Sequence, residues 1–97
     1  MKKHPARGRK YRSEKVFAVR SEYCALVGKH LQQAREDKNL SIHALAGRLG
    51  LSATFVSQVE RGVTMPSVAS LYVLATELEI SVDDVFSAIS KQLLAAR

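Results

Sequence analysis

The stretch LGLSATFVSQVERG, residues 49–62, decides how the rest of the chain is read. Its apolar residues are few but regularly placed, and its small polar residues crowd together. Projected as a helix at roughly 100° per residue with Ala53 at zero, Thr54, Ser57, Gln58 and Arg61 fall within an arc of about 140°. Phe55, Val56 and Val59 fall on the opposite side, with Glu60 on the border. Ser52 stands where an N-cap is wanted, and Gly62 closes the helix. One face can bury. The other offers small hydrogen-bonding groups and one positive charge, a surface suited to reading a partner.

Working outward, Ser41 caps a second short helix, IHALAGRLG (42–50), with Leu45, Ala46 and Leu49 facing inward. Gly50 ends it, because glycine accepts the left-handed conformation of a tight turn. Two short helices joined by such a turn, the second with a small-polar outer face, form a helix-turn-helix. The motif demands close packing: Ala46 small where the helices cross, Gly50 at the turn, Val56 and Val59 wedged between them. The whole pattern from Leu45 to Gly62 is far more specific than any one of its parts.

Upstream, EYCALVGKHLQQAREDKN carries Tyr23, Leu26, Val27, Leu31 and Ala34 at helical spacing, with Ser21 as the expected N-cap and Asn39 as the stop. The preceding VFAVRS (16–21) either extends that helix backwards or makes a short strand. Downstream, Pro66 and Ser67 open VASLYVLATELE, with Leu71, Leu74, Ala75 and Leu78 on one stripe. Ser81 with Asp84 resembles a capping box for a last helix beginning at Val82. The expected architecture is all-α, with five helices.

A chain of 97 residues, 46% of them hydrophobic, suits one small domain. Its single cysteine, Cys24, excludes an intramolecular disulfide framework and reads as a small apolar residue of the first helix. No run approaches the ~18 apolar residues of a membrane span, and the basic N-terminus lacks a signal peptide's apolar stretch. A cytoplasmic location is expected. Charge is unevenly spread. Residues 1–20 hold eight Lys or Arg against Glu14 alone, whereas residues 21–97 hold seven basic and eight acidic residues. The first segment, irregular through MKKHPARGRKYRSEK, reads as a basic arm and the second as the folded domain. Such an arm points to a polyanion, nucleic acid before membrane surface, or else it is a solvated tail.

Catalytic chemistry finds no foothold. There is no Ser/His/Asp or Cys/His arrangement and no glycine-rich phosphate loop, which argues against an enzyme. His30 and His43 lack ligand spacing, so neither a metal nor a cofactor is expected. Tyr72 reads as packing or rim of the fourth helix, with contact to a partner subunit as the alternative.

The segments LQQAREDKNLS, LAGRLGLS, FVSQVERG and PSVASLYVLATELEISVDDVF together resemble the lambda repressor/Cro-like (Xre-type) helix-turn-helix family, over roughly residues 25–86. In organisation the chain is similar to small restriction–modification controllers and phage repressors. The resemblance implies a transcriptional regulator of a bacterium or phage whose third helix enters the major groove of double-stranded DNA. It assigns base contacts to Ala53, Thr54, Ser57 and Gln58, the face found by projection. Arg61 and Ser41 become phosphate contacts, helped by the N-terminal amides of the second helix. Arg35 and Glu60 resemble the family's pair tying the first helix to the third. Where the family commonly has Gln at the first position of the second helix, this chain has Ile42. The arm residues Arg7, Arg9, Lys10 and Arg12 are then expected to make up that lost phosphate contact.

In the last helix Val82, Val85, Phe86, Ile89 and Leu93 recur at helical spacing. Because a small body covers only one side of such a helix, Val85, Phe86, Ile89 and Leu93 are expected at a homodimer interface binding a palindromic operator. Completion of the monomer's own core is the competing use of the same stripe. A different functional class, an antitoxin or protein-binding adaptor built on this fold, also fits the sequence.

Overall fold

Every helix of the described chain begins on a serine. The computed structural model describes residues 13–95, which form five helices and no strand. These are α1 (Glu14–Asp37), α2 (Ile42–Leu49), α3 (Ala53–Glu60), α4 (Val68–Glu77) and α5 (Val82–Ala95). The hydroxyls of Ser13, Ser41, Ser52, Ser67 and Ser81 each accept from the backbone N–H three residues on, at 3.0–3.3 Å. Each bond satisfies one amide that a helix start would otherwise leave bare.

The ends of the first four helices share a device too. Leu40, Leu51, Val63 and Ile80 donate their N–H to the carbonyl five residues back, at 2.9–3.2 Å. The residue before each, Asn39, Gly50, Gly62 and Glu79, is left-handed, with φ of 57°, 69°, 76° and 60°. A Cβ on Gly50 would meet nothing within 4 Å, so the backbone angle alone calls for glycine in the turn between α2 and α3.

The first helix starts at Glu14 on Ser13, not after Ser21, which lies inside it. VFAVRS is therefore helical. Glu14 favours the positive end of the helix, and nothing between it and Ser21 breaks the pattern. Lys15 and Arg20, which the sequence places in the arm, stand on this helix.

Packing is pairwise around one core: α1 lies against α3 and α5, α2 against α3 and α4, and α4 against α5. Val27, Leu31, Leu45, Ala46, Val56, Val59, Leu71, Leu74, Ala75 and Leu78 fill the centre. Val85 and Ile89 join them at 4% and 2% exposure, which corrects their assignment to a partner-facing surface. The reason is α1, which runs along α5 and covers that side of it. Leu93 is half-buried against the same core, whereas Phe86 stays partly outside, its ring 6.2 Å from that of Tyr23.

Candidate nucleic-acid interface

The outward face of α3 is useful only if its inward face is held still, and three contacts hold it. Val56 and Val59 are buried in the core. At the second contact a Cβ on Gly28 of α1 would stand 2.5 Å from the carbonyl oxygens of both Val59 and Glu60. The two backbones touch there, so only glycine fits.

The third contact is ionic. Arg35 donates from Nε to Glu60 Oε2 at 2.7 Å and from Nη2 to Glu60 Oε1 at 2.9 Å. Its Nη1 donates to the Leu40 carbonyl at 2.7 Å. One guanidinium thus joins α1, the end of α3 and the turn leading into α2. The side chains are 11% and 4% exposed, so the pair is shielded from water and salt. The hydrogen bonds to Glu60 hold the Arg35 guanidinium above its ordinary pKa, against burial, which pulls the other way.

On the outer face Thr54 is exposed, and Ser57 and Gln58 are half-buried. Arg61 is exposed and its Nε donates to Ser57 Oγ at 3.3 Å, laying the guanidinium along the same face. Ala53 divides its surface between this face and the core. Ser41 is exposed at the start of α2, with its hydroxyl engaged by the Ala44 N–H at 3.0 Å. Ile42, the first residue of α2, packs against the core, so an apolar contact occupies that position. Among the described residues, Arg35, Lys38 and Arg48 each pair with a glutamate, whereas Arg61 pairs with no acid. Arg7, Arg9, Lys10 and Arg12 lie outside the described residues. Gly28 escaped the sequence reading, although an interior helix glycine, roughly 1 kcal/mol worse than alanine, was the available signal.

Within the described residues no three His, Cys, Asp or Glu side chains gather as metal ligands. No described helix is long and apolar enough to cross a membrane.

A family model described as Helix-turn-helix matches residues 31–85, more than half of the chain. The chain belongs to that helix-turn-helix family. Among curated relatives, this helix-turn-helix chain is similar to the HTH-type transcriptional regulator SlrR of Bacillus subtilis, 36% identical over 64 residues. That match covers 65% of this chain and only 42% of SlrR. Among solved structures, the clp gene regulator ClgR of Corynebacterium glutamicum superposes with a TM-score of 0.67 at 29% identity, covering 76% of this chain and 81% of that one. The restriction–modification controller protein C.Esp1396I, solved as a tetramer with its natural 35 base-pair operator, superposes at 0.62 and 25% identity. There the coverage is 74% of this chain and 95% of the controller.

Proposed function

We propose that the chain is a sequence-specific binder of double-stranded DNA that regulates transcription. The observation that carries this reading is the polar row Thr54, Ser57, Gln58 and Arg61, presented outward on a helix locked from behind by Gly28 and by Arg35–Glu60. Similarity to a controller solved on its operator supports it. In this reading α3 enters the major groove. Gln58 bonds adenine, Ser57 and Thr54 bond base edges, the Ala53 methyl meets a thymine methyl, and Arg61 and Ser41 hold phosphates. A two-fold pair of chains sets two such helices about one DNA turn, ~34 Å, apart on a palindromic operator. The protein acts in the cytoplasm and performs no catalysis of its own.

The arm supplies grip where α3 supplies choice. Arg7, Arg9, Lys10 and Arg12 release counterions from phosphates whatever the sequence beneath them. Deleting residues 2–12 is expected to weaken binding to the operator and to a scrambled duplex alike. The log–log salt slope should become shallower by roughly two to four units per subunit. Anisotropy titrations at several salt concentrations measure both quantities, and an unchanged slope would leave the arm without a role on DNA.

The adaptor reading has one observation of its own. Val68, Tyr72 and Val73 on α4 are 65%, 51% and 44% exposed, an apolar patch outside the DNA face. Stoichiometric co-purification of a neighbouring gene's product, abolished by Tyr72→Asp, would favour it.

A further inference from the structure

In the outward row of α3, one reading group is engaged before any partner arrives. Arg61 is tied to Ser57 twice. Its backbone N–H donates to the Ser57 carbonyl at 3.0 Å, and its Nε donates to Ser57 Oγ at 3.3 Å. Arg61 is also the residue that caps the C-terminal end of α3, where the helix carbonyls favour a cation and keep the guanidinium against the last turn. Thr54 and Gln58 carry no such tether among the described residues, so they can turn to suit whichever base edge is offered.

The tether fixes the polarity of Ser57. A hydroxyl has one proton to give and two lone pairs to receive with. The Nε–H of Arg61 occupies one lone pair, and the positive charge beside it repels a second donor. That charge is not neutralised from within. The neighbouring acid, Glu60, is held by Arg35 through both of its oxygens. Ser57 is left to give its proton to an acceptor. In the major groove cytosine offers a donor, adenine a donor beside its acceptor, and thymine an acceptor beside a methyl. Guanine alone offers two acceptors, N7 and O6, and no donor. It is the edge that best suits a hydroxyl proton standing beside a positive charge.

We propose that Arg61 is a positioning residue for base selection: through Nε it sets Ser57 as a donor, and the base that Ser57 then selects is guanine. The proposal rests on the reading of α3 as the DNA-reading helix and deepens it. Nη1 and Nη2 of Arg61 stay available to phosphate, so a single side chain couples grip to choice.

The test starts by letting the full chain select duplexes from a randomised library, with the enriched duplex as the probe. Two replacements are made at each guanine of its half-sites. 7-Deazaguanine removes the N7 acceptor, and adenine puts an amino donor where O6 stood. The affinity ratio of native to replaced duplex is measured for wild type, Ser57→Ala, Arg61→Lys and the double variant, so any general loss of binding cancels. Lysine keeps the charge but puts a methylene where Nε stands. Neither side chain enters the core, so circular dichroism should be unchanged. At one guanine of each half-site, at least one replacement should cost the wild type roughly tenfold. Each single variant should lose that preference to within about twofold at the same guanine, and the double variant should lose no more than either. A wild type indifferent to every replacement overturns the proposal. If Ser57→Ala loses the preference while Arg61→Lys keeps it, the DNA reading stands and the proposal falls. If no duplex is enriched at all, the DNA reading falls and takes the proposal with it.

Discussion

α1 is one continuous helix with two different lives. From Cys24 to Asp37 it is welded to the molecule: Gly28 against the backbone of α3, Arg35 to Glu60, and Val27, Leu31 and Ala34 in the core. From Glu14 to Glu22 every residue is exposed, although three of them are large and apolar. The two halves share a stripe and a periodicity. What separates them is the presence of a neighbour within the same chain. Amphipathic spacing marks a face that wants to be covered, and it is silent about what covers it.

The welded half should be sensitive to small changes. The largest effect is expected at Arg35–Glu60, because Arg35→Ala strands a buried carboxylate. It should cost about 3–5 kcal/mol in urea unfolding, while the double replacement costs clearly less than the two singles together. Additive losses would mean that the two side chains do not act as a pair. No pH dependence near neutrality should come from Arg35. Its raised pKa means that this stability is lost only as strongly alkaline pH passes through it.

Gly28→Ala adds one methyl where two carbonyl oxygens already stand 2.5 Å from the Cβ position. The backbone of α3 must back away, and a net loss of roughly 2–3 kcal/mol is expected despite alanine's better helix propensity. The matched change in the exposed half, Val19→Ala, should alter thermal unfolding by less than ~0.5 kcal/mol at concentrations where the chain is monomeric. Equal effects at the two sites would erase the contrast between the halves.

A smaller effect belongs to the far end of the welded half, where Lys38 donates to Glu79 at 2.8 Å in solvent. Hydrogen bonding to Lys38 holds the Glu79 carboxyl below its ordinary pKa. Its contribution is therefore complete above the usual carboxylate range and fades as pH falls through the lowered value. Lys38→Gln should flatten that slight acid-side slope, and added salt should hide the difference. Thermal unfolding between pH 3 and pH 6 at low and high salt measures it.

These contrasts explain what could be read from residues alone. Ser41, Ser52, Ser67 and Ser81 each sit before an apolar run with helical period, and each caps a helix. Gly50 marks the turn by chemistry that few other residues tolerate. Local signals with local causes were legible. Ser21 misled because two serines precede the apolar pattern and the pattern itself begins early. Gly28 was hidden because its reason is the backbone of α3, far along the chain. Val85 and Ile89 were assigned outward because a stripe on α5 does not say that α1 will lie along it. The polar row of α3 was legible for the opposite reason: a helix this short has room for one buried face, so its remainder must face out.

Whether α3 chooses bases is decided at Gln58, through the variant Gln58→Ala. Competition titrations of the variant and the wild type should be run on an operator duplex and on a scrambled duplex at fixed salt. The expected result is a loss of ~1–3 kcal/mol on the operator, relaxed preference at one base pair in each half-site, and unchanged affinity for the scrambled duplex. Equal weakening on both duplexes would contradict it, because α3 would then be holding DNA without reading it.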